Sequence, residues 1–147
     1  MQFNKHLAFL LSAIILCMNT NVSASAEHSS QTVVNEIAPA YEIARTAQSS
    51  LSISYNTATC TSICTAPSGT ICVSAQQTLQ KFWGLWIWND VEGASWLTTS
   101  YSNSVSPVNT KTGLDSGTYR LKTVFTLKAS NGETETITVY SEEKTVS

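Results

Sequence analysis

From Leu51 onward, apolar and polar residues alternate with a period of two, and turn-forming residues recur every 8 to 15 positions, the pattern of an antiparallel sandwich or barrel. No helical period competes with it. Leu51, Ile53 and Tyr55 predict a first strand that turns at Asn56-Thr57, and Ala58, Cys60, Ser62 and Cys64 share one face of a second. After a turn at Pro67-Ser68-Gly69, Ile71, Val73, Ala75 and Leu79 mark a long third strand reaching about Lys81. A fourth runs from Trp86 to Val91, with Gly93 separating it from Trp96 and Leu97. Val105, Val108 and Leu114 lie along a fifth or split strand, where Pro107 predicts a sheet edge or a bulge.

The clearest strand runs from Thr118 to Lys128, with Tyr119, Leu121, Thr123, Phe125 and Leu127 facing the core. Ser130-Asn131-Gly132 then leads to a last strand with Ile137 and Val139 on one face. A strict two-residue Asn-Gly loop would set Phe125 opposite Thr138 and turn Ile137 away from the core. A three-residue loop with Gly132 in the left-handed conformation and a bulge instead sets Phe125 opposite Ile137 and Arg120 opposite Glu142. The bulged hairpin is the expectation, because it keeps the apolar face together.

Ahead of these strands, residues 27–50 are polar and small, and Pro39 interrupts what could otherwise be a weak helix, so a flexible leader or linker along the domain edge is expected there. The domain itself is expected over residues 51–147. Residues 1–26 have the three parts of a secretory signal peptide: Lys5, an apolar run from Leu7 to Met18, and Ala24-Ser25-Ala26 for cleavage. The run is shorter than the roughly 20 residues that span a bilayer, so no membrane anchor is expected after cleavage. Bulky Leu16 before Cys17 argues against lipidation.

Composition narrows the function. The chain has 147 residues, 42% hydrophobic and only 12% charged, with a formal net charge of −2. That fits one folded domain and offers no electrostatic footprint for nucleic acid or an anionic membrane. Both histidines, His6 and His28, precede the strand-rich region. Ser-His-Asp and Cys-His nucleophile systems need a histidine in the folded body, and no catalytic residue, metal site or cofactor is expected.

Asp115-Ser116-Gly117-Thr118-Tyr119 resembles the tyrosine-corner segment of immunoglobulin-like domains, in which a Tyr near the start of the penultimate strand bonds back to nearby backbone. Leu121 stands where those domains place a Cys, which argues against their inter-sheet disulfide. The expected fold is therefore an immunoglobulin- or fibronectin-III-like antiparallel β-sandwich of about seven strands. Taken whole, Glu36 to Ser141 resembles a family of small, uncharacterised secreted proteins of Gram-positive bacteria. The resemblance is carried by Ala58-Thr59-Cys60, Leu79-Gln80-Lys81, Trp96, the run Ser116 to Lys122 and the closing run Glu135 to Ser141. It implies a small secreted β-sandwich and carries over no catalytic residue. The Trp83 to Trp88 cluster and the additional Cys64 and Cys72 depart from the family pattern.

Export permits disulfides. Cys60 and Cys64 lie roughly 13 Å apart on an extended strand at about 3.3 Å per residue, beyond bonding reach. Cys64 and Cys72 flank the turn symmetrically and form the easiest bond, with three reduced thiols or a Cys60 to Cys72 bond as the alternatives. Zinc on these three would lack a fourth ligand. Trp86, Trp88 and Trp96 are the candidate binding residues. On one strand, Trp86 and Trp88 would share a face that stacks on a sugar ring or anchors a protein; alternatively they cover the core beside Trp96. Asp90, Glu92 and Asp115 are the nearby acids; a glycosidase would need two of them paired in a cleft, whereas solvated loop acids are the ordinary reading. Two function classes follow. One is a secreted, non-catalytic binding or surface-interaction module for an extracellular protein or glycan, and the other a secreted effector such as a small toxin, bacteriocin-like factor or inhibitor. No wall anchor or further domain is expected after the last strand, which weakens the first class without establishing the second.

Overall fold

A computed structural model describes residues 41–147, which form two antiparallel sheets packed face to face, a β-sandwich. The expected signal peptide, and the expected leader up to residue 40, lie outside the described residues. The strands are β1 (Thr46–Ser54), β2 (Thr57–Thr65), β3 (Thr70–Gly84), β4 (Ile87–Ser100), β5 (Ser104–Val105), β6 (Val108–Lys111), β7 (Gly117–Ala129), β8 (Thr134–Tyr140) and β9 (Lys144–Val146). One sheet has the order β1-β2, with β5 and β6 both on the far edge of β2. The other has the order β4-β3-β7, with β8 and β9 sharing the far edge of β7. Strands β5 and β6 act as one edge strand broken at Pro107, which has no N–H to donate and instead accepts from Ser62 N–H at 3.1 Å.

The β7–β8 hairpin has the register that keeps its apolar face together: Phe125 pairs with Ile137. Gly132 has φ 92°, and its N–H bonds to the Ala129 carbonyl at 3.0 Å, closing the three-residue loop. The register does not reach Arg120 and Glu142, because the chain leaves β7 after Tyr140 and returns as β9 against Gly117–Tyr119.

Three other expectations need correction. Gly93 does not end a strand: β4 runs through it, and Val91 to Ala94 bulge opposite Leu79, between the pairs Gln80–Asp90 and Thr78–Ser95. The bulge turns Ala94 into the core. A second bulge, at the Pro67 turn, puts Ile71 outside rather than inside. Nor does the flexible leader extend to residue 50, because β1 begins at Thr46 and pairs with β2 along its whole length. Its inward residues Ala47 and Ser49 are too small to make the alternation visible.

Ahead of β1, Tyr41, Ile43 and Ala44 pack on the core, and one side chain holds the segment there. The Glu135 carboxylate accepts the backbone N–H groups of Glu42, Ile43 and Ala44 at 2.8, 2.9 and 2.9 Å. Partial burial pushes the Glu135 carboxyl up, but the N–H donors of Ala44, Glu42 and Ile43 together outweigh this and hold it below its ordinary value. A lowered folded value means that the stabilisation is present above the ordinary carboxylate range and is lost as pH falls through the folded value. Hydrogen exchange at residues 42–44 is therefore expected to be protected at neutral pH and to lose that protection in acid ahead of the β7 core. Glu135→Ala should remove it at every pH, at a cost of about 1–2 kcal/mol; protection that survives the substitution would show that the carboxylate does not hold the segment.

The core has two apolar halves. One gathers Cys64, Val73, Ala75, Val105, Phe125, Leu127 and Ile137; the other gathers Leu51, Ala58, Cys60, Leu79, Leu114, Tyr119, Leu121 and Val146. Between them the inward positions of four strands are polar: Ser49, Ser62, Gln77 and Thr123. Asn109 of β6 donates to Gln77 Oε1 at 2.7 Å, and Gln77 Nε2 donates to Ser62 Oγ at 2.7 Å and to the Cys60 backbone carbonyl at 3.3 Å. Ser62 and Thr123 hydroxyls meet at 2.7 Å, and Thr123 meets Ser49 at 3.0 Å. The chain of bonds ties the two sheets together at mid-height.

Candidate functional site

Strand register places several loops at one end of the sandwich. The β3–β7 pairing stops at Lys81–Tyr119, and β2–β6 stops at Ala58–Lys111. The β1–β2 turn, the β3–β4 turn and the 113–116 loop therefore share that end. Asp115 closes the loop through its backbone: the Tyr119 hydroxyl donates to the Asp115 carbonyl at 2.7 Å, and the Tyr119 ring is buried. Gly117 beside it has φ 146°, a backbone conformation that residues with a side chain rarely adopt.

Beyond Lys81 the β3–β4 hairpin runs on past its pairing with β7. Phe82 pairs with Trp88 and Gly84 with Ile87, so Trp83 is the extra residue of a bulge and Leu85-Trp86 is the two-residue turn. Both turn residues have positive φ, 48° and 67°, a combination that Asn-Gly adopts without strain and that a bulky side chain resists. Leu85 is 89% exposed, Trp86 92% and Trp83 75%; Ile87 and Phe82 are also exposed. The chain thus accepts strained backbone to hold large apolar side chains in water, and strain of this kind concentrates at functional sites.

The three candidate tryptophans do not share a face. Trp86 is in the turn rather than on the strand. Trp88 lies on the outer face of its sheet, 5.2 Å from Phe82 and 4.1 Å from the Arg120 guanidinium, which stacks on Tyr140 at 4.3 Å on its other side. Arg120 also donates to Gln80, and Gln80 to Asp90, at 2.9 and 2.8 Å. Trp96 opposes Gln77 and packs, partly buried, on the half of the core that holds Leu79, Tyr119 and Leu121. Sequence reasoning left Trp83 out of the binding set. Its bulge aims it over a small cleft of about 220 Å³ at the foot of the hairpin, whose lining includes Lys81, Asp90, Lys111 and Asp115. Asp90 and Asp115 thus reach the same cleft, whereas Glu92 does not line it.

The disulfide across the Pro67 turn is not formed. Cys60, Cys64 and Cys72 are free thiols. Cys64 points between the sheets, whereas Cys72 shares the outward parity of Ser74 on β3, so the two side chains face different sides of that sheet. Burial pushes the Cys60 thiol up to about 11, and burial followed by the Glu135 charge pushes Cys64 to about 11. Each pH unit is tenfold in thiolate, so both should alkylate about a hundredfold more slowly than an ordinary thiol. Alkylation of folded protein followed by peptide mapping should label Cys72 first and the other two only on unfolding; a linked Cys64 to Cys72 peptide would contradict the geometry. No family model matches the chain, and no curated protein or solved structure matches it.

Proposed function

We propose that the chain is a secreted, non-catalytic binding module of the immunoglobulin-like type, akin to the small Gram-positive proteins its motifs resemble, and that it engages an extracellular surface through the tip of the β3–β4 hairpin. One observation carries this reading: Leu85 and Trp86 occupy a turn that disfavours them and are almost wholly exposed there. A residue kept against both backbone strain and hydration is best explained by what it touches in a complex. The immunoglobulin-like type is supported by the Tyr119 to Asp115 bond and by the strand order. The β1–β2 hairpin lies in one sheet and the β3–β4 and β7–β8 hairpins in the other, and β4 stands outside β3, where variable-type domains carry an additional strand. A non-catalytic role is supported by Asp90, whose carboxylate is held by the Gln80 amide.

The test exchanges the turn for the residues it prefers. The double variant Leu85→Asn, Trp86→Gly keeps the hairpin and removes the exposed apolar surface. Wild-type protein should be retained on intact Gram-positive cells or isolated walls, and the variant should lose that retention without losing thermal stability. Equal retention of the two proteins would sink the reading.

A further inference from the structure

We infer that this end of the sandwich seats on a lipid bilayer, with the β3–β4 tip inserted at the boundary between headgroups and acyl chains. The inference rests on the tip being the binding element and names what it binds. Shape is the first argument. From Phe82 to Leu85 the hairpin extends past its pairing with β7 for four residues, roughly 13 Å at about 3.3 Å per residue. That is comparable with the ~5–10 Å to which interfacial elements bury their apolar faces. A convex tip enters its partner, and a bilayer accepts one without a matching cavity.

Side-chain chemistry is the second argument. A sugar ring is gripped by a flat aromatic face with hydrogen-bonding groups around it, so exposed Leu85 and Ile87 gain nothing from a glycan. At an acyl boundary these two gain by burial, while the tryptophans Trp83 and Trp86 place amphipathic rings at headgroup level. Behind the tip the cleft carries both signs, as a zwitterionic headgroup does: Asp90 and Asp115 line it together with Lys81 and Lys111, and neither lysine forms an ion pair among the described residues. Their ammonium groups stand where lipid phosphates would lie. A second turn supports the same orientation: Tyr55, between β1 and β2, is 94% exposed with φ 55°. Among the described residues, the non-glycine positions with positive φ are Tyr55, Leu85 and Trp86, all at this end. Two tips set the sandwich upright on a plane.

The test is co-sedimentation of the purified chain with phosphatidylcholine vesicles, with and without phosphatidylglycerol, together with indole fluorescence. Wild-type protein should partition to both, shift its emission to the blue and be quenched by brominated acyl chains. Leu85→Asn, Trp86→Gly should weaken partition by about tenfold or more, since it removes most of the inserted apolar area. Tyr101→Ser, which removes an exposed aromatic at the opposite end, should leave partition unchanged. Absence of wild-type partition, or equal partition by the tip variant, overturns the bilayer assignment. If the tip variant still loses retention on cells or walls in that case, the module reading stands and its partner is a protein or glycan. If the tip variant matches wild type on cells, walls and vesicles alike, both readings fall.

Discussion

Phe125→Ala is expected to cost about 3–5 kcal/mol, the range for a fully buried aromatic whose site cannot collapse. Phe125 has no exposed surface; on its own sheet it pairs with Ala75 and Ile137, and across the sandwich it packs with Cys64 and Val105. Ala75 on one side and a cysteine across the gap are small, and Ile137 and Val105 are β-branched and stiff at χ1, so the site collapses little. Lys122, three residues earlier and on the other face of β7, gives the comparison: Lys122→Ala should change stability by less than about 0.5 kcal/mol. Denaturant midpoints with unchanged slopes would measure both. Similar losses at the two positions would mean that the inward face of β7 has been assigned wrongly.

That face was legible in the sequence because β7 alternates cleanly over its whole length. The bulged β7–β8 turn was legible too, because only one of the two possible registers buried Ile137 with Phe125. Elsewhere legibility failed where a local rule was broken. Leu85-Trp86 contains none of the residues that announce a tight turn, so the tip read as the start of a strand and Trp86 as a partner for Trp88. Gly93 read as a strand end because glycine both breaks strands and forms bulges, and only the continued pairing of Ser95 to Ser100 separates the two cases. Cys64 and Cys72 are symmetrical about a turn in sequence, yet Cys72 alternates with inward Val73 and so lies on the outward side of its sheet, while Cys64 points into the core. Gln77 passed unnoticed because alternation counts a polar residue at an inward position as a gap, whereas here the gaps of four strands coincide in space.

The coincident polar positions support the second large effect. Gln77 is fully buried, so Gln77→Leu keeps its volume but takes a donor from Ser62 and from the Cys60 carbonyl and an acceptor from Asn109. Asn109 is only partly buried and can turn to water; Ser62 has no exposure to spare. With about 1–3 kcal/mol for each buried group left unpaired, the single substitution should cost about 2–4 kcal/mol. Replacing the connected set together, as Ser49→Ala, Ser62→Ala, Gln77→Leu and Thr123→Val, removes donors and acceptors at the same time. It should recover most of that loss, because the side chains that lose partners inside the layer are removed together, leaving only the Cys60 carbonyl and the partly buried Asn109, which can turn to water. Uniqueness is what such a layer would forfeit. The present bonds engage β1, β2, β3, β6 and β7 at one height, so sliding one sheet over the other by a residue pair breaks all of them, whereas an apolar seam tolerates the slip. The quadruple variant should therefore be more stable than Gln77→Leu alone and come close to wild type, while showing a broader amide spectrum and faster exchange in β2 and β7. A quadruple variant as unstable as the sum of its single substitutions would show that the four side chains act separately and that no cooperative belt exists.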